Sequence, residues 1–108
     1  MSDRLKKIFA SQEPKTKFVA YFVGCHPTYE KSLEIIKQSI DNGVSIVEIG
    51  YSTSEASGEG PVIKAAQDRV IANGSSLKDV INLAKEVRDY NNNVGIILMG
   101  YISNLFMF

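Results

Sequence analysis

Apolar and polar positions along the 108-residue chain fall into blocks whose period switches between that of a helix and that of a covered strand. Met1 to Gln12 form a short amphipathic helix with Leu5, Ile8 and Phe9 on one side and Ser2 or Asp3 as its cap. Phe18 to Val23 is an unbroken apolar run rich in β-formers, the pattern of a parallel strand covered on both faces. Pro27-Thr28 breaks the run, and Thr28 caps a helix with Leu33, Ile36 and Ile40 at helical spacing that Asn42-Gly43 ends. Ser45 to Ile49 is a second strand, followed by a loop from Gly50 to Gly60 dominated by Ser, Thr, Gly and Glu. Pro61 takes a first helical position, and Val62 to Ala72 stay helical until Asn73-Gly74. Ser75-Ser76 opens another helix with Leu77, Val80, Ile81, Ala84 and Val87 on one face, and Ser76 and Asp79 have capping-box spacing. After Asn91-Asn92-Asn93, Gly95 to Met99 is the third strand.

Strands alternating with helices predict an α/β fold with parallel strands and right-handed crossovers. The doubly wound sheet and the barrel both satisfy that order. A dinucleotide-binding sheet normally carries G-x-G-x-x-G after its first strand, and that motif is absent. The length suits one domain, and the chain shows no internal repeat. From Val94 to Phe108 only Ser103 and Asn104 are clearly polar. That run is shorter than the roughly 18 to 20 apolar residues of a membrane helix and reads as a buried strand with the start of its loop.

Composition changes this picture little. Lysine plus arginine and aspartate plus glutamate both total 12, so no basic excess marks a nucleic-acid surface. The N-terminus lacks the continuous apolar stretch of a signal peptide. A single cysteine, Cys25, excludes an intrachain disulfide and suits a half-buried thiol in a reducing cytosol. Its neighbour His26 would point to the opposite face of a strand, so the two make a poor catalytic pair. His26, the only histidine, has no second histidine to share a metal and reads as a partly exposed loop residue.

Glu48 is the anomaly, a carboxylate inside an apolar strand. Ile46, Glu48 and Gly50 share one face and Val47 and Ile49 the other. In a barrel the apolar pair faces the helices, which aims Glu48 inward near the C-terminal strand end, where barrel chemistry lies. Burial would raise its pKa unless a lysine or arginine pairs with it.

Glu48-Ile49-Gly50, the acidic loop and Glu59-Gly60-Pro61 resemble the tryptophan synthase α family, whose pattern there is E-L/I-G-x-P-F-S-D-P-x-A-D-G-P. Ala20-Tyr21-Phe22-Val23 with Pro27 is similar to its A-Y-I-T-A-G-D-P. Ala66 to Gly74 is similar to N-x-R-A-L-x-x-G, with Arg69 retained, and Ile96 to Phe106 to I-V-L-M-x-Y-x-N-P-I-F. The resemblance covers nearly the whole chain in register. It implies a partial (β/α)8 TIM barrel, about the first three strands with their helices, as one N-terminal portion spanning residues 1–108.

The resemblance further implies a cytoplasmic lyase that needs no cofactor or metal and cleaves indole-3-glycerol phosphate to indole and glyceraldehyde 3-phosphate. It assigns Glu48 the acid–base role, Glu59 the acceptance of the indole N–H, and Tyr21 and Tyr101 the lining of the pocket. It also implies a β subunit as partner on the face that carries the Gly50–Gly60 loop. The chain departs from the family where aspartates become Glu55 and Glu59 and prolines become Ser52 and Ala56. A glycine and an aspartate become Cys25 and His26, and an asparagine becomes Ser103. A full barrel takes roughly 250 residues. Three strands without the late phosphate-binding loops are therefore expected to be inactive alone, with open edges on strands one and three. A non-catalytic module that binds a β-subunit-type partner without turnover is the competing expectation, and a degenerate remnant a weaker one.

Overall fold

The computed structural model of the protein describes residues 2–53 and 58–102. Seven elements run α1 (Asp3–Ala10), β1 (Val19–Val23), α2 (Tyr29–Asp41), β2 (Ile46–Gly50), α3 (Pro61–Ala72), α4 (Leu77–Tyr90) and β3 (Gly95–Met99). The strands form one parallel sheet in the order β1-β2-β3, so β1 and β3 are its edges. Each crossover carries a helix, which is what parallel neighbours require.

Sequence chemistry sets the element ends. Ser2 accepts from the Leu5 amide at the start of α1, and Thr28 accepts from the Lys31 amide at the start of α2. Asp79 accepts from the Ser76 backbone N–H at 2.8 Å, half of the capping box. Gly43 and Gly74, both at positive φ, turn the chain out of α2 and α3.

One layer of the core lies between the sheet and helices α2 and α4. Val47 and Ile49 of β2 meet Ile36 and Ile40 of α2 and Val80, Leu83 and Val87 of α4, all buried. Two hydrogen bonds tie the C-terminal part of α4 to the two ends of α2: Tyr29 donates to Glu86, and Tyr90 donates to Asp41 at 2.6 Å. On the opposite sheet face α1 closes the N-terminal end, where Leu5 and Ile8 stand over Gly95 beside Ile46. A Cβ on Gly95 would lie 2.8 Å from Leu5 Cδ2 and 2.9 Å from Ile46 Cγ1, so a side chain here would have to displace those tips.

Several expected positions shift. Phe9 is 55% exposed, while Leu5 and Ile8 are the α1 side chains that meet Gly95. Phe18 is 61% exposed and lies before β1, and the second strand runs from Ile46 to Gly50 instead of Ser45 to Ile49. The inward stripe of α4 is Val80, Leu83 and Val87, with Leu77 and Ile81 at its margins. The third strand is not wholly buried: Leu98 and Met99 on this edge are 42% and 46% exposed. No helix among the described residues is long and apolar enough to cross a membrane.

Candidate active site

The strand register decides which side chains meet. Tyr21 of β1 and Ile97 of β3 flank Glu48 of β2 directly. Since Val47 and Ile49 enter the helix-side core, Tyr21, Glu48 and Ile97 occupy the opposite face, as predicted for Glu48. Glu48 is half-buried, less than a covered strand would make it, and no cation pairs with it among the described residues. The one-residue extension of β2 to Gly50 matters here. A Cβ on Gly50 would lie 2.2 Å from the Tyr21 hydroxyl, so the phenol lies across the bare backbone at the strand's C-terminal end. Gly50→Ala is expected to keep the fold but swing the Tyr21 ring aside. A crystal structure with the ring unmoved would contradict that packing.

Three more groups act on the Tyr21 hydroxyl. Burial pushes its pKa up, the Glu59 and Glu48 carboxylates add to the rise, and a hydrogen bond from the Gln67 side chain opposes it. Tyr21, Glu48 and Glu59 thus share one electrostatic neighbourhood, although Glu59 sits exposed just before α3 and Glu48 is half-buried. Tyr101 joins through the backbone: its hydroxyl accepts from the Gly58 amide at 3.3 Å, one residue from Glu59. All four residues singled out in the sequence therefore lie around the C-terminal ends of the strands. Glu55, Ala56 and Ser103 lie outside the described residues.

Sequence reasoning passed over Tyr51 and Gln67. Tyr51 is buried, its amide donates to Met99 O at 2.9 Å and its hydroxyl to Tyr101 O at 3.2 Å. Its ring fills the space a side chain at Gly100 would need, since a Cβ there would lie 2.1 Å away. Tyr51 thereby fixes Tyr101 to the end of β2. Gln67 is 3% exposed on the inward side of α3, and its Oε1 has no hydrogen-bond partner among the described residues. Leaving such an acceptor unpaired costs about 1–3 kcal/mol. A buried glutamine one turn before buried Val70 was the available signal, because polar residues on an inward stripe are uncommon.

Cys25 is fully buried in the helix-side core, not half-buried, and adopts φ 68° where glycine is at ease. Its amide donates to Ser32 Oγ at 3.0 Å, and burial first, then the charge of Asp79, pushes its thiol up to about 11. His26 is partly exposed, as expected, with Nε2 buried and without a hydrogen-bond partner among the described residues. A folded-state pKa above the unfolded one means Cys25 supports the fold below pH 9 and loses that support as pH rises toward 11. Thermal stability is therefore expected to fall across that window, and Cys25→Ser to flatten part of the fall. An unchanged slope would contradict the assignment. No group of three or more His, Cys, Asp or Glu side chains placed to hold a metal exists among the described residues.

Parallel strands in sequence order, β1 and β2 each followed by helix, with carboxylates and tyrosines near their C-terminal ends, define a sector of a (β/α)8 barrel. The family described as tryptophan synthase alpha chain matches residues 9–108, and the chain belongs to it. It is 31% identical over 100 residues to the tryptophan synthase alpha chain of Neisseria meningitidis serogroup B, covering 93% of this chain and 38% of that one. The Gluconobacter oxydans alpha chain is 32% identical over 102 residues with the same coverage. Among solved structures, a chain from Aquifex aeolicus VF5 superposes with a TM-score of 0.92 at 30% identity, covering 98% of this chain and 43% of that one. The alpha subunit from Legionella pneumophila str. Paris gives 0.90 at 26% identity, with 99% and 42% covered. The chain thus spans 38% of the length of these curated relatives.

Proposed function

We propose that this chain carries the proton-transfer sector of a lyase that cleaves indole-3-glycerol phosphate to indole and glyceraldehyde 3-phosphate. The observation that carries the reading is the register of Glu48 against Tyr21, with Glu59 acting on the same hydroxyl. A carboxyl held among Tyr21, Ile97 and Gly50 suits delivery of a proton to a ring carbon. As that proton arrives, the ring becomes an electron sink. Glu48, now ionised, takes the proton of the side-chain hydroxyl, the bond from ring carbon to side chain breaks with its electrons returning to the ring, and the hydroxyl carbon leaves as the aldehyde. Glu59 stabilises the positive charge that develops on the ring. Tyr21 and Tyr101 flank the ring as apolar walls with polar tips.

The 108 residues supply one rim of such a site. The substrate phosphate needs anchoring groups beyond the described strands, so this chain by itself is expected to release no indole. The activity is tested in a graft that replaces the matching segment of the Neisseria meningitidis alpha chain with residues 9–108. A strain lacking its own alpha chain should grow without tryptophan when it carries the graft. Failure to grow with the graft folded and abundant would sink the reading.

A second reading is favoured by Val62, which stands 80% exposed at the start of α3 beside the loop. An apolar side chain there suits contact with a β-subunit-type partner. Capture of a β subunit by the chain without turnover would support binding as its role.

A further inference from the structure

We propose that the cavity beneath the N-terminal ends of the three strands binds a small phosphate monoester, held by Arg4, Lys7 and Lys17. The cavity measures about 680 Å³, within the range of small-molecule sites. Residues just before each strand line it: Lys17 before β1, Val44 and Ser45 before β2, and Val94 before β3. It therefore lies at the opposite end of the strands from the candidate active site, and α1 walls it with Arg4, Lys7 and Ile8. Its cations are oriented by neutral acceptors. Arg4 donates from Nε to Asn92 O at 2.8 Å and from Nη2 to Asn92 Oδ1 at 3.3 Å. Lys17 donates from Nζ to Ser11 O at 2.9 Å and to Pro14 O. Both side chains are half-buried, and these bonds aim them while leaving each a full charge and a free N–H. The Lys7 ammonium makes no hydrogen bond or ion pair among the described residues. Behind them Arg88 donates to Asn91 O and Val94 O, and burial, then the charge of Arg4, pulls its pKa down. Four cations thus gather with no carboxylate in ion-pair contact among the described residues, and an anion relieves their repulsion. A guanidinium fork beside two ammonium groups suits phosphate oxygens. Asp3 and Glu13 also line the cavity and limit its net positive charge, which favours a monoester over a polyphosphate. Ile8, Pro14 and Val44 offer an apolar wall to the organic part.

Phenyl phosphate is the probe, titrated into the full 108-residue chain and followed by amide NMR. Salt is held at about 0.15 M, where the field of a surface charge fades within about 8 Å. The expected Kd is below about 1 mM, with the amides of Lys17, Asn92 and Val94 shifting and those of Glu48 and Tyr51 unmoved. Phenol, which has the same ring and no phosphate, should leave all of them in place. Lys7→Glu should weaken binding about tenfold. Lys6→Glu, which changes the charge of α1 equally from outside the cavity, should weaken it less than about twofold. Because the Lys7 ammonium bonds to nothing in the folded protein among the described residues, Lys7→Glu should fold as the parent does. Equal losses in the two variants would reduce the site to diffuse attraction and overturn the proposal. Shifts confined to Glu48 and Tyr51, phenol binding as tightly as its phosphate, or no binding at all would overturn it as well. Each of these outcomes leaves the reading of the opposite strand ends as it stands.

Discussion

In the graft, Glu48→Gln is expected to lower kcat by about a thousandfold and to leave KM within a few-fold of the parent, the range general-acid groups supply. Glutamine keeps the volume and the place on β2 between Tyr21 and Ile97, but it has no proton to deliver. The loss should therefore appear in the chemical step, with binding largely preserved. Tyr21→Phe should cost far less, because the ring remains and only the hydroxyl that meets Gln67 is lost. Steady-state indole release from purified, folded variants decides this. A Glu48→Gln graft within tenfold of its parent would remove Glu48 from the chemistry.

The largest expected effect on stability comes from Leu83→Ala, at about 3 kcal/mol. Leu83 is fully buried between α4 and the sheet, in the same cluster as Ile36, Val47 and Ile49. The Tyr29–Glu86 and Tyr90–Asp41 hydrogen bonds hold the C-terminal part of α4 to both ends of α2, which resists closure over the cavity. A domain of this size has only about 5–15 kcal/mol in total, so the variant should unfold at much lower urea. Ile81→Ala, on the margin of the same helix, should shift the midpoint much less. Equal shifts for the two would mean the inward stripe of α4 is wrongly placed.

Much of this fold was legible because local chemistry and periodicity agreed. Thr28, Ser76 with Asp79, Pro61, and the glycines at 43 and 74 each mark a helix end found at that place. Val47 and Ile49 facing the helices followed from side-chain alternation alone, and so did the inward direction of Glu48. What escaped depends on long-range packing. Leu83 falls on the stripe with Val80 and Val87 at a spacing that Leu77 and Ile81 also satisfy, and only docking of α4 on the sheet chooses between them. Phe9 and Phe18 look like core residues by composition, but neither is covered by an element among the described residues.

Site legibility divides in the same way. Glu48 stood out because a carboxylate in an apolar strand breaks the pattern, and Glu59, Tyr21 and Tyr101 followed from the resemblance. Tyr51 carries no such signal, since an aromatic after a strand is ordinary. Its role comes from Gly100, 49 residues away, leaving room for its ring. For Cys25 the sequence predicts only a half-buried thiol. Instead, its positive φ turns the side chain into the core beside Ser32.

The most direct test of the central claim is the rate at which the purified graft releases indole from indole-3-glycerol phosphate. The account predicts turnover within about a hundredfold of the Neisseria meningitidis parent, since the graft keeps the register of Glu48 with Tyr21 and retains a carboxylate, one methylene longer, at Glu59. A graft that is folded, binds indole and yet releases none would show that this sector no longer carries the chemistry.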